Sequence, residues 1–155
     1  MTIPDPGLVD RLMAVWLDPP ADDPAGVAAF GAVYTDPVDV NGSAFTAADL
    51  LARARALQRT YSNQRHELLD VVVAPGRLVI AFRMCGTHTG PLATPLGTVA
   101  PTGQDVAIRT IDVLTVVHGR IAAVCVLGDE LGTLVGLGVR AAARSDGPRR
   151  PFVMG

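Results

Sequence analysis

A chain of 155 residues, 49% of them hydrophobic and with a net charge of −2, is long enough to bury about two-thirds of its unfolded surface in one domain. Mean hydropathy is +0.34, yet no run approaches the roughly 18 uninterrupted apolar residues of a membrane span, so the surplus points to a deep core, an apolar pocket or an oligomer interface. The charge balance and the lack of a basic, aromatic-interleaved cluster speak against nucleic acid. No basic-then-apolar leader is visible, so a cytoplasmic chain is expected, and all 13 basic residues are arginine, which excludes Schiff-base chemistry through lysine.

In chain order, residues 6–17 predict a first helix, with Leu8, Leu12, Val15 and Trp16 at helical spacing and Pro19-Pro20 as its stop. Asp22-Asp23-Pro24 opens a second helix over about 25–34. Residues 35–43 read as turn, with Asp36, Asp39 and Asn41-Gly42 as breaker chemistry. The third helix is the clearest: Thr46 and Asp49 have capping-box spacing, and Ala47, Leu50, Ala54, Leu57 and Tyr61 mark its apolar face. Arg53, Arg55 and Arg59 lie off that face and read as solvated.

After Asn63 the period changes. Residues 67–74 and 77–85, split by Pro75-Gly76, predict one hairpin; residues 106–117 and 120–127, split by His118-Gly119, predict another. Residues 90–103 read as a long loop, and residues 145–155 as a loose tail after a single domain over 1–144. Helices first and long strands afterwards define an α+β class: three N-terminal helices packed on a curved, mostly antiparallel sheet forming a cone with an apolar pocket. Cys85 and Cys125 fall in apolar strands and read as reduced core residues. No metal-spaced His/Cys/Asp/Glu motif occurs.

The ordered set Gly86-Thr-His-Thr-Gly90, Pro101-Thr-Gly103, Ile111-Asp112-Val113, Gly119-Arg120-Ile121 and Asp129-Glu130-Leu131-Gly132 resembles the SnoaL-like polyketide cyclase (ester cyclase) family over roughly residues 30–138. The resemblance implies the cone-shaped fold of nuclear transport factor 2. It also implies ring closure of polyketide esters by intramolecular aldol condensation, with an aspartate as general acid/base and no metal or cofactor. A Glu-His-Trp segment of the family stands here as Ala123-Val124-Cys125, with Asp129 retained beyond it. Limonene-type epoxide hydrolases share the fold. Their Arg-x-Asp element falls on Arg83-Met84-Cys85, and their second Asp falls near Val126.

The residues that could carry such chemistry are few. Asp129 follows an apolar strand, which would raise its pKa; the alternative is an N-cap for a helix over 130–137. Asp112 alternates with Ile108, Thr110, Leu114 and Val116, either as a pocket wall or as a salt-bridged edge residue. His88 shares a strand face with Leu78, Ile80, Phe82, Met84 and Gly86, and either handles a proton or bonds the neighbouring loop. Trp16, Tyr34, Tyr61, Phe82 and Met84, with Asp36 and Asp39 at the mouth, are the candidate substrate-binding set. His66 and His118 read as solvent or turn residues. The reading is a cofactor-independent, homodimeric cyclase acting on a hydrophobic small molecule. An epoxide-opening or ether-forming enzyme and a non-catalytic binding module are its alternatives.

Overall fold

The computed structural model describes residues 1–140; the expected tail at 145–155 lies outside the described residues. The helical layer forms where apolar spacing predicts it, as α1 (Gly7–Leu17), α2 (Asp23–Val33) and α3 (Ala47–Thr60). Asp22 caps α2 by accepting from the Ala25 N–H at 2.9 Å. At α3 the Thr46 hydroxyl accepts from the Asp49 N–H at 3.2 Å while the Asp49 carboxylate accepts from the Thr46 N–H at 2.8 Å, a box of the kind that stabilises a helix by about 1 kcal/mol.

One face of α3 departs from expectation. Arg55 is half-buried and engaged: its guanidinium donates to the Pro20 and Ala21 carbonyls and pairs with Asp23, clamping the α1–α2 corner. Arg53 lies over the Phe45 ring, 4.0 Å from its centroid, and Arg59 is exposed. From the same helix the Gln58 amide donates to the Trp16 and Leu17 carbonyls at 3.2 and 2.8 Å. These are carbonyls that a helix C-terminus leaves without an internal partner.

The sheet contains β1 (Tyr34–Val40), β2 (Ser43–Phe45), β3 (Tyr61–Ala74), β4 (Arg77–His88), β7 (Asp105–Val117) and β8 (Arg120–Gly128), in the order β2-β1-β8-β7-β4-β3. β5 (Leu92–Thr94) and β6 (Gly97–Val99) make a separate small hairpin inside the expected loop, and α4 (Glu130–Gly136) follows β8. Neighbouring strands are antiparallel except β1 and β8, which run parallel. Residues 35–43 are therefore strand and hairpin rather than turn alone. Pro37 is tolerated where β1 shifts register against β8, and Asn41-Gly42, with φ of 51° and 84°, forms the tight turn to β2. β3 also begins earlier than expected, at Tyr61. Its polar Ser62-Asn63-Gln64-Arg65 start carries no apolar alternation, but β4 pairs with it.

The concave face of the sheet carries Leu78, Ile80, Leu114, Val116, Ile121 and Val124, covered by Leu8, Leu12, Phe30 and Leu50 of the helices. A second cluster joins Tyr61, Met84, Val106 and Leu137, and Phe82 packs against both. The Cys125 side chain is exposed, so it is not a core residue; Cys85 is buried.

At Gly90 the chain crosses the end of α3 so closely that a Cβ would overlap the Arg59 carbonyl, whereas a Cβ at Gly31 in α2 meets open space. Gly90→Ala is expected to lower unfolding free energy by about 2–3 kcal/mol. Gly31→Ala is expected to raise it by about 0.5–1 kcal/mol, both read from urea denaturation midpoints.

Candidate active site

Strand pairing places Asp112 of β7 opposite Ile80 of β4 and Val126 of β8, so an acid stands in an apolar row. Its side chain is half-buried, and its Oδ1 is buried without a hydrogen-bond partner. Burial disfavours the charged form and pushes its pKa up to about 6. At that value the carboxylate is ionised at neutral pH yet remains a competent proton acceptor.

Tyr34, the first residue of β1, is buried within range of the Asp112 charge, with no hydrogen bond between them. Its hydroxyl oxygen accepts from Trp16 Nε1–H at 2.8 Å. Burial is the main cause that raises the Tyr34 pKa, and the nearby Asp112 charge adds to it against the Trp16 bond. Tyr34 therefore stays a protonated phenol with its own proton free to donate. Phe30 fixes both rings, edge-on to Trp16 at 5.4 Å and stacked on Tyr34 at 6.2 Å. Across the sheet, the Asn41 side chain accepts from the Val126 N–H at 2.9 Å and donates to the Val126 carbonyl at 3.1 Å. This pins β8 beside Asp112.

The other expected site residues are distributed differently. Asp129 is exposed and caps α4, its carboxylate accepting from the Gly132 N–H at 2.8 Å. Its own N–H bonds the Arg109 carbonyl, three residues along β7 from Asp112, about 10 Å away. His88 is 0% exposed. It lies eight residues along β4 from the partner of Asp112, about 26 Å away. Its Nδ1 accepts from the Thr102 N–H at 3.3 Å and lies 3.0 Å from the Thr102 hydroxyl, which holds the loop before β7. His88 packs against Tyr61, ring centroids 5.8 Å apart. Asp129, Asp112 and His88 thus do not share a centre.

Asp36 and Asp39 are exposed, and Asp39 accepts from the Gly42 N–H at 3.0 Å to close its turn. Phe82 and Met84 do lie on the concave face with Ile80. Arg83 projects from the opposite face and pairs with Glu67 at 3.3 Å, so the Arg of an epoxide hydrolase triad is turned away from Asp112. Two clefts, of about 190 and 350 Å³, lie away from Asp112, the first between β7 and α4 and the second along β3, β4 and β7. One is lined by Asp105, Arg109 and Asp129, the other by Arg65, Glu67, Arg83 and Cys85. Among the described residues no cluster of three or more His/Cys/Asp/Glu is placed to hold a metal ion.

One residue is placed against expectation. His66 is half-buried, its Nδ1 is buried without a partner, and its ring sits 5.3 Å from that of Phe82. A β-bulge between Leu68 and Asp70 sets it opposite Met84 on the concave face.

A family model for the SnoaL-like polyketide cyclases matches residues 9–137. The chain belongs to the SnoaL-like polyketide cyclase family. Its architecture is the α+β fold of nuclear transport factor 2, and solved structures share it. A protein assigned to the SnoaL-like cyclases of Jannaschia sp. CCS1 superposes with a TM-score of 0.70 at 19% identity, over 86% of this chain and 91% of that one. TsrD of Streptomyces laurentii gives 0.70 at 22% identity, over 88% and 98%. IdmH of Streptomyces antibioticus, assigned as a polyketide cyclase, gives 0.66 at 16%, over 85% and 96%. No curated protein matches the chain. No helix among the described residues is long and apolar enough to cross a membrane.

Between its ordinary value of 3.8 and about 6, Asp112 holds a proton in the folded state that the unfolded chain has lost. Stability therefore falls as pH rises through that window, and above it the deficit persists. Asp112→Asn removes the deficit. Its stability relative to the parent is expected to improve by about 1–2 kcal/mol between pH 4 and pH 8, measured by denaturation at both values. No change in that difference would mean that Asp112 is not held in an apolar wall.

Proposed function

We propose that the chain is a cofactor-independent cyclase that folds a hydrophobic polyketide-type intermediate in its cone and closes a ring by proton transfer at Asp112. The observation that carries the reading is the half-buried Asp112 carboxylate, one oxygen unpartnered, whose charge reaches the buried Tyr34 hydroxyl. Family membership and the polyketide cyclase assignments of structural neighbours support the same class.

In this reading Asp112 removes a proton from a carbon next to a carbonyl. The electron pair left on carbon delocalises onto the carbonyl oxygen, to which Tyr34 donates its hydroxyl proton in a hydrogen bond. The Trp16 N–H, already donating to the phenol oxygen, polarises that O–H further. The enolate carbon then bonds to a second carbonyl carbon of the same molecule, and the Asp112 carboxylic acid returns its proton to the alkoxide formed. No atom is gained or lost. Because both reacting groups belong to one bound chain, positioning by the apolar walls supplies much of the rate.

Asp112→Asn is expected to cut kcat/KM by about 10²–10⁴-fold while leaving ligand binding largely intact. The parent should show a rising pH limb with a midpoint near 6. Tyr34→Phe should reduce kcat by about 10²–10³-fold, as for a lost donor to developing charge. Full turnover by Asp112→Asn would remove the acid/base role; ligand retained by the parent without turnover would favour a binding module.

A homodimer is part of the proposal. The sheet face away from the helices exposes Ile111 (48%) and Leu127 (73%), paired across β7 and β8, with Val113 and Cys125 paired beside them. An apolar strip of this kind in water favours a covering partner, and a second copy presents the matching strip. Sedimentation should give a dimer at micromolar concentration. Leu127→Asp should give monomer and speed thiol labelling of Cys125; a monomeric parent would contradict the assembly.

A further inference from the structure

The register of the β3–β4 hairpin changes within β3. From Ala74 opposite Arg77 back to Asp70 opposite Ala81 the pairing is regular; one extra residue then intervenes, and Leu68 stands opposite Phe82. Continued without the bulge, the register would pair His66 with Cys85 on the outer face. With it, His66 pairs with Met84 and joins the face of Asp112, Ile80 and Phe82. A one-residue slip transfers every side chain beyond it to the other face, and bulges recur beside sites where a side chain must be re-aimed.

What the bulge delivers is a polar ring in apolar company. Phe82 packs against the His66 ring at 5.3 Å, and Nδ1 is buried with no partner. Leaving a buried polar atom unbonded is costly, so a ligand that bonds it gains affinity. Burial also lowers the pKa of His66, which keeps the imidazole neutral with one donor and one acceptor nitrogen. Leu68 opposite Phe82 is exposed, so this end of the cone opens to solvent.

Asp112 and His66 lie two strands and four residues apart, about 16 Å at the Cα level, and side chains converging from a concave face shorten that span. On β4, Phe82 stands between Ile80, the partner of Asp112, and Met84, the partner of His66. We infer that His66 is a second polar anchor of the cone, and that the ligand is an elongated, flat, apolar molecule with a hydrogen-bonding oxygen at each end. One end lies at Asp112 and Tyr34, the other at His66. This rests on the cone being the binding site proposed above and names the shape and polarity of what it takes.

The test uses two probes, 4,4′-dihydroxybiphenyl with an oxygen at each end and 4-hydroxybiphenyl with one. Binding is read by fluorescence of Trp16, the single tryptophan of the chain, which is half-buried beside Tyr34. The parent should prefer the two-ended probe by roughly fivefold, the worth of one hydrogen bond. His66→Phe should abolish that preference while binding the one-ended probe unchanged, and His66→Gln, which keeps a donor and an acceptor, should restore part of it. Near-ultraviolet circular dichroism checks that both variants are folded. A preference that survives in His66→Phe, or no preference in the parent, overturns the anchor. Neither result depends on turnover, so failure of the Asp112 mechanism would appear separately in the activity of Asp112→Asn. Failure of both probes to perturb Trp16 overturns the cone as the binding site, and the anchor with it.

Discussion

A carboxylate between Ile80 and Val126, with one oxygen buried and unbonded, is the constraint on which the architecture turns. A folded chain gains nothing for stability from such a group, since burial disfavours its charge. The group holds its place because β7 is paired on both sides, by β4 and β8. The sheet therefore supplies the free energy that keeps Asp112 in the wall, and the wall in turn sets its proton affinity.

The helical layer determines what faces that carboxylate. Gln58 of α3 fastens the end of α1, which carries Trp16; Trp16 bonds the Tyr34 hydroxyl; and Phe30 of α2 locks both rings. Arg55 holds the α1–α2 corner against the same helix. Tyr34 is thus oriented from three helices at once, and its proton is left to whatever lies beside Asp112. The coupling is physical: a capped and buttressed α3 places a donor, and a paired β7 places an acceptor.

Much of this was legible in the sequence. Capping residues and apolar periodicity gave the helices, strand alternation grouped Asp112 with Leu114 and Val116 on one strand and Phe82 with Met84 on another, and the ordered Gly/His/Asp motifs pointed to the family; the pairing of β4 with β7 is what joins the two sets. What the sequence left open or misplaced has particular causes. β1 was hidden because Asp36, Pro37 and Asp39 are breaker residues, and only pairing with β2 and β8 makes them strand. Asp129 fits a catalytic reading and a cap reading equally well in one dimension; its bond to the Gly132 N–H and its exposure describe the cap. His88 shares a strand face with the Asp112 row, but alternation says nothing about the eight residues of strand that separate them. His66 was misread because its face depends on a bulge three residues away, and local periodicity carries no sign of a register slip.

The proposed chemistry depends most on the state of one carboxyl group, and a carbon-13 NMR titration of the Asp112 side chain reads it directly. The midpoint is expected near pH 6, moving toward the ordinary carboxylate range when Val126→Ser admits a polar neighbour across the strand pair. A midpoint near 4 in the parent, the value of an aspartate in water, would contradict the placement of Asp112 in an apolar wall and with it the proposed acid/base role.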